Sequence, residues 1–433
     1  MDLLFGAYGA NSDDDDDDDG REREPKQLTL EPPLKRFRSE YAPQNRKPSP
    51  PVAAESPLLP GRYVSKRERA MLAACSKASD LSPSPIPASV VTSPVVGTLS
   101  DSVLPFDVLA SLRCQSMTGS SKRAPTKLSA SLKGHTKAVN SIQWSQSHGH
   151  LLASAGMDQI VHVWNVWSRE QPQARVFNYH KAAVKDVRWS PCGFSLLSCG
   201  FDSSSRLVDV EMGKETATFK EDQIVEVIRF HPSDSDLFLS GGSKGFLRLW
   251  DIRIGTVVKE YLKGLGPILD IEYRADGKHF ISSSDTTRSN ISENSIIIWD
   301  VSRQIPLSNQ VYAEAYTCPC VRYHPSDASF IAQSNGNYIA IFSARSPFKL
   351  DKYKRYEKHG VWGFPIKCNF NWDGTELASG SSDGCLYFYN YRSSELLRKI
   401  KAFEEACIDV TYHPIRPNVI ASCSWNGEIS VFE

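Results

Sequence analysis

The chain has no run approaching the ~18 apolar residues that would span a membrane. It has no HExxH pair and no phosphate-binding GxxxxGK loop, so the commonest zinc-peptidase and nucleotide-phosphate signatures are missing. Its start, MDLLFGAYGA, is too short and lacks the basic lead-in of a secretory signal. The ten cysteines show no spacing of a disulfide framework, and several sit in apolar runs, so reduced thiols in an intracellular compartment are expected. Charge of one sign is also missing: 50 basic residues face 50 acidic ones. Beyond residue 120 the count is 36 basic to 33 acidic, far from the basic surface of a dedicated nucleic-acid binder. Direct nucleic-acid binding is therefore not expected.

Tryptophan is absent from the first 140 residues although the chain has nine, while 14 of its 26 prolines lie before residue 106. That asymmetry divides the chain. Residues 1–123 hold few aromatics, much Pro and Ser, and blocks of like charge, including seven Asp at 13–19. Such a segment buries too little apolar area to offset ordering entropy and reads as a disordered tail. Residues 124–433 read as one folded unit.

What fills that unit is a repeat. A short apolar run reaches Ser154, Ser198, Ser240, Ser282, Gln333, Ser379 or Ser422, and each anchor is followed by a turn and a second apolar run. The steps are 44, 42, 42, 51, 46 and 43 residues, close to the ~40–45 of a four-stranded propeller blade. β-Branched and aromatic runs separated by Gly, Asp, Asn and Ser describe strands and tight hairpins. One such sheet cannot stand alone, but seven stacked radially bury each other's faces. The expected fold class is all-β, a seven-bladed β-propeller. The segment 126–132 alternates like a strand but has no blade of its own, so it is expected to complete the seventh blade and close the ring.

Within the first repeat His135, Ser154, Asp158 and Trp164 can form a chain of hydrogen bonds. The Trp indole donates to the Ser hydroxyl, the hydroxyl to the imidazole, and the imidazole to the Asp carboxylate. Their residue types could suggest a nucleophile triad, but partial recurrence in other repeats argues for structure over catalysis. The second repeat keeps His180, Ser198 and Asp202 with Val208 in place of Trp, and the third keeps Ser240 and Trp250 with Lys244 at the Asp position. The fourth keeps Trp299 and inserts residues 285–294. The fifth has Gln333, Asn337 and Phe342; the sixth has His359, Ser379 and Asp383 with Tyr389 for Trp; the seventh has Ser422, Asn426 and Phe432. No cofactor and no metal are expected. Cys318 and Cys320 in TCPC, read as sharing one strand face, lack a second pair at zinc spacing.

These residues resemble the structural tetrad of the WD40-repeat family, and the fit is complete in the first repeat. The runs LWDIRIG, AQSNGNYIAIFS and SCSWNGEISVFE are similar to a branch of that family that takes part in pre-mRNA processing. The resemblance implies a non-enzymatic scaffold for protein partners within a multiprotein complex, in the nucleus, with the cytoplasm as the alternative compartment; a monomeric propeller is expected. Another implication concerns Trp250, Asp251 and Arg253. They resemble the WDxR box through which substrate receptors dock to the adaptor of a cullin ubiquitin ligase.

The rim of loops before the inner strands carries Lys137, Lys181, Gln223, Tyr316, Trp362, Glu404 and Glu405. Tyr316 and Trp362 are the expected partner contacts, because aromatics concentrate in interface cores. In the tail, Lys35, Arg36 and Arg38 beside two prolines form a candidate nuclear-import cluster. Ser49, Ser56, Ser82, Ser84 and Ser93 each precede Pro and are candidates for proline-directed phosphorylation.

Overall fold

The computed structural model describes residues 94–113, 125–261, 264–285, 296–310 and 317–433. Tyr316, Lys35, Arg36, Arg38, the five Ser-Pro sites and residues 286–294 lie outside them.

Seven four-stranded antiparallel sheets are arranged as blades. The innermost strands are Val139–Trp144, Val184–Trp189, Val225–Phe230, Ile268–Tyr273, Cys320–Tyr323, Cys368–Phe370 and Cys407–Tyr412. All run in one direction along the central channel, which thus has an upper end where they begin and a lower end where they finish. The apolar side chains fall into seven buried clusters, one at each contact between neighbouring blades. Phe280, Trp299 and Tyr261, for example, are fully buried where blade three meets blade four. No blade has a core of its own, and this is why the repeat works only as a ring.

The seventh sheet takes its outer strand from the far end of the chain. Leu128–Leu132 pairs with Ile429–Phe432, with Leu128 opposite Phe432 and Leu132 opposite Ile429. The Thr126 and Lys127 amides each donate to the Glu433 carbonyl at 2.8 Å.

Residues 94–113 differ from the expectation of a disordered tail to residue 123. The Val96 and Gly97 amides donate to the Ala174 carbonyl, which adds a fifth edge to blade one. The helix Phe106–Arg113 follows Pro105, with Asp107 in its first turn and Arg113 in its last, both favourable to the helix dipole. Its Val108, with Leu104 just ahead, joins the cluster of Trp144 and Trp167, whose rings stack 5.6 Å apart. The composition of the surrounding tail hides this short apolar stripe.

Candidate functional site

Blade one holds the full hydrogen-bond chain. The Trp164 indole donates to Ser154 Oγ at 2.9 Å, Ser154 Oγ lies 2.8 Å from His135 Nε2, and His135 Nδ1 lies 2.9 Å from Asp158 Oδ2. The imidazole also holds the Asp158 carboxyl below its usual range, against the upward push of burial. Gly156 is required here, because a Cβ would stand 2.5 Å from both His135 Nδ1 and Asp158 Oδ1.

Blade two repeats the arrangement without the indole: His180 Nε2 lies 2.8 Å from Ser198 Oγ and Nδ1 lies 3.1 Å from Asp202. Blades three and four keep the other half, with Trp250 donating to Ser240 at 3.0 Å and Trp299 to Ser282 at 2.9 Å. In blade three Gln223 stands in the missing His's place. It is buried, bonded to the Phe246 carbonyl and the Lys244 amide, and is therefore not a rim residue.

Blade six departs from the sequence reading. His359, Ser379 and Asp383 are not joined. His359 Nδ1 bonds the Tyr389 hydroxyl at 2.9 Å and Nε2 meets Gln333 Nε2 of blade five at 2.6 Å. Ser379 donates to the Gly380 carbonyl at 2.8 Å and, at 3.3 Å, to Gln333 Oε1. Asp383 is taken by Lys399 at 2.8 Å and the Tyr387 hydroxyl at 2.9 Å. The physical cause is Tyr389: its hydroxyl extends where an indole would stop, and it captures the imidazole nitrogen that Asp383 would hold.

Among the described residues one cluster has metal-ligand character, His135, Asp158 and His162, whose donor atoms lie within 4.8 Å of one another. Both nitrogens of His135 are already engaged within the tetrad, so coordination would dismantle blade one's hydrogen-bond chain. Cys318 and Cys320 do not share a strand face. Cys318 precedes the inner strand of blade five and packs toward blade four, while Cys320 faces Cys368 of blade six at 4.0 Å. No disulfide links the eight described cysteines.

The channel wall carries what the sequence reading missed. Asp186, Asp270 and Asp409 follow the same bulge in the inner strands of blades two, four and seven. Each caps an amide of the next blade: Ile228, Val321 and Ile142 respectively. Arg229 ties two of them together, donating to Asp186 and to Asp270 at 2.6 Å each. Despite burial, which alone would raise it, Arg188 and Arg229 hold the Asp186 carboxyl well below the usual range. The signal was present in DVRW, DIEY and DVTY, where an Asp recurs at the same place in three inner strands.

On the upper rim, Lys137 and Lys181 are exposed, and Trp362 is 79% exposed. Trp362 sits at φ +50°, a conformation unusual for a bulky residue. Its loop is pinned by the Val361 amide to Asn337 Oδ1 at 2.7 Å, and its indole lies so close over Gly360 that a Cβ there would be 2.5 Å away. On the lower face Trp250 and Asp251 are buried, whereas the Arg253 side chain is 66% exposed and gripped by Asp251 at 2.8 Å.

Sequence comparison agrees with this geometry. The model described as "WD domain, G-beta repeat" matches residues 126–165 and 171–209, the first two repeats. Mouse WD repeat-containing protein 25 is 37% identical over 310 residues, covering 71% of this chain and 58% of its own. Human pre-mRNA-processing factor 17 is 30% identical over 334 residues, covering 76% of this chain and 56% of its own. Its Saccharomyces cerevisiae counterpart is 27% identical over 311 residues, covering 71% and 67%. The chain thus spans little more than half the length of the first two relatives. With seven blades, a complete tetrad in the first and a repeat model matching that blade and the next, the chain belongs to the WD40-repeat family.

Proposed function

We propose that the protein is a non-enzymatic scaffold that binds protein partners through its upper rim within nuclear pre-mRNA-processing complexes. The observation that carries this reading is Trp362, a large aromatic held rigidly in the open on a strained, pinned loop. A pre-organised aromatic loses little entropy on binding and is the kind of anchor around which interfaces concentrate their energy. The likeness to pre-mRNA-processing factor 17 of human and yeast supports the cellular setting. The propeller acts as a monomer, contacts protein rather than nucleic acid directly, and is imported through Lys35, Arg36 and Arg38. Purification of the tagged full chain from nuclei tests this. Splicing proteins and small nuclear RNAs should co-purify, and Trp362→Ala should reduce them about tenfold while melting is unchanged. A wild-type preparation free of both would overturn the reading.

A second reading, substrate receptor of a cullin ubiquitin ligase, is favoured by one observation: Arg253 of the WDxR-like box is exposed and aimed by Asp251. In this reading Arg253→Ala abolishes adaptor binding in a pull-down. A wild type that never binds adaptor removes it.

A further inference from the structure

Blade five differs from the others at its outer edge. In the other six blades the outer strand leaves one residue unmatched against its neighbour. In blade three, for example, Leu249 faces Lys259 and Trp250 faces Val257, so only Val258 is left over. In blade five Ala340 faces Arg355 and Phe342 faces Leu350, and Ile341 alone stands against residues 351–354. The outer strand Leu350–Tyr356 thus carries three unmatched residues where the repeat needs one, and they fall within Asp-Lys-Tyr-Lys. A bulge of this kind re-aims side chains away from the sheet. Tyr353 is fully exposed, and its amide donates to Asp351 Oδ1 at 3.0 Å. The next side chain, Lys354, places its amine 4.7 Å from the centre of the Tyr391 ring in blade six. The aromatic is presented from a bulge that is fixed on both sides.

Charge around it is one-sided. Residues 345–358 hold Arg345, Lys349, Lys352, Lys354, Arg355 and Lys358 against Asp351 and Glu357, and Arg355 takes Glu357 at 2.7 Å. The elements packed beside them leave that excess in place. Asp327 adds one negative charge near Lys354, and Arg392 and Glu395 of the Tyr391 hairpin balance each other. Seven cations then stand against four anions, with Lys349 and Lys352 exposed on either side of the bulge's start. The strand under them spans roughly 23 Å at ~3.3 Å per residue, the length of an extended peptide of the same size.

We propose that the outer edge of blade five is a docking site for an acidic, extended segment of a partner protein, with Tyr353 as its anchor and Lys349 and Lys352 meeting its carboxylates. A fixed, exposed aromatic within complementary charge is the arrangement that supplies both affinity and register. The strand-sized footprint and single aromatic suit a peptide, whereas single-stranded nucleic acid takes successive stacking platforms along a basic groove. The site lies on the outer wall of the ring and does not depend on what the rim carrying Trp362 binds.

Fluorescence anisotropy of the full chain with a labelled Glu-rich peptide of about ten residues, long enough to cover the strand, tests it. The same peptide with Gln for every Glu and a single-stranded RNA of matching charge serve as the other probes. Saturable binding of the Glu peptide is expected, at least about tenfold tighter than that of the Gln peptide and weakening as salt is raised. Lys352→Glu and Tyr353→Ala should each weaken it about tenfold, while Tyr353→Phe retains it. Both positions are exposed, so melting should not change. No saturable binding of the Glu peptide by the wild type, undiminished binding in either variant, or tighter binding of the RNA overturns the proposal.

Discussion

In blade one His135 is bonded to its own blade's Ser154 and Asp158, whereas in blade six His359 is bonded to Tyr389 and to Gln333 of the blade before it. Residue types and spacings match closely, yet the first arrangement knits one sheet internally and the second staples two sheets together. Blades five and six, which look degenerate by sequence, have therefore exchanged intra-blade bonding for inter-blade bonding. A polar network is defined by which atom reaches first, and here Tyr389 takes Nδ1 of His359 while Gln333 takes Nε2.

The largest effect separating these regions concerns the ring itself. Removing residues 126–132 strips blade seven of its outer strand, which every blade needs, tetrad or not. The expected outcome is loss of cooperative thermal unfolding. A truncated chain that melts like the full one would show that each blade stands on its own bonding.

Acid should affect both regions. Burial pushes the His162 pKa down from 6.5 to about 3 in blade one and that of His359 down from 6.5 to about 4 in blade six. His413 behaves likewise, lowered to about 3 mainly by burial. A depressed folded-state value means that the unfolded chain binds the extra proton first. The stability contributed by the neutral ring is therefore full above about pH 6.5 and is lost as pH falls toward 3–4. Urea melts at pH 7.5 and 5 should differ by roughly 1 kcal/mol or more per histidine. His359→Gln should flatten the curve, and an unchanged slope would mean that this ring is solvated.

The serines sharpen the contrast. Ser154→Ala leaves the Trp164 indole and His135 Nε2 both without their partner and should cost about 3 kcal/mol in urea denaturation. Ser379→Ala loses mainly a bond to the Gly380 carbonyl and should cost about 1 kcal/mol. Equal costs would mean that blade six carries an intra-blade network after all. The smallest difference is expected at Asp383, where Asp383→Asn breaks a half-exposed pair with Lys399 and should move the melting temperature by no more than about 2 °C.

The period, the hairpins and the ring are legible from spacing, because apolar alternation is dictated by the sheets themselves. Blade one's hydrogen-bond chain is legible for the same reason: His135, Ser154, Asp158 and Trp164 are all present and no competitor intervenes. Blade six was not, because the outcome depends on the reach of Tyr389 and on Gln333, which is 46 residues from Ser379. The acids at 186, 270 and 409 were visible as residues, but their cross-blade amides depend on a bulge that leaves no mark in composition. The helix Phe106–Arg113 was hidden by averaging over a Pro-rich tail, although Val108, Leu109 and Leu112 form a short stripe.

The pairing of Leu128 with Phe432 has a consequence for how the chain comes to be folded. Blades one to six can assemble in order as they leave the ribosome, since their strands are sequence neighbours. The seventh must wait, with the edge of Leu128–Leu132 unpaired through the synthesis of some three hundred further residues. Until Ile429–Phe432 arrives, the nascent protein is an open arc with one exposed edge at each end. That interval is when it is most vulnerable to mispairing with another chain, and when a chaperone has most to protect.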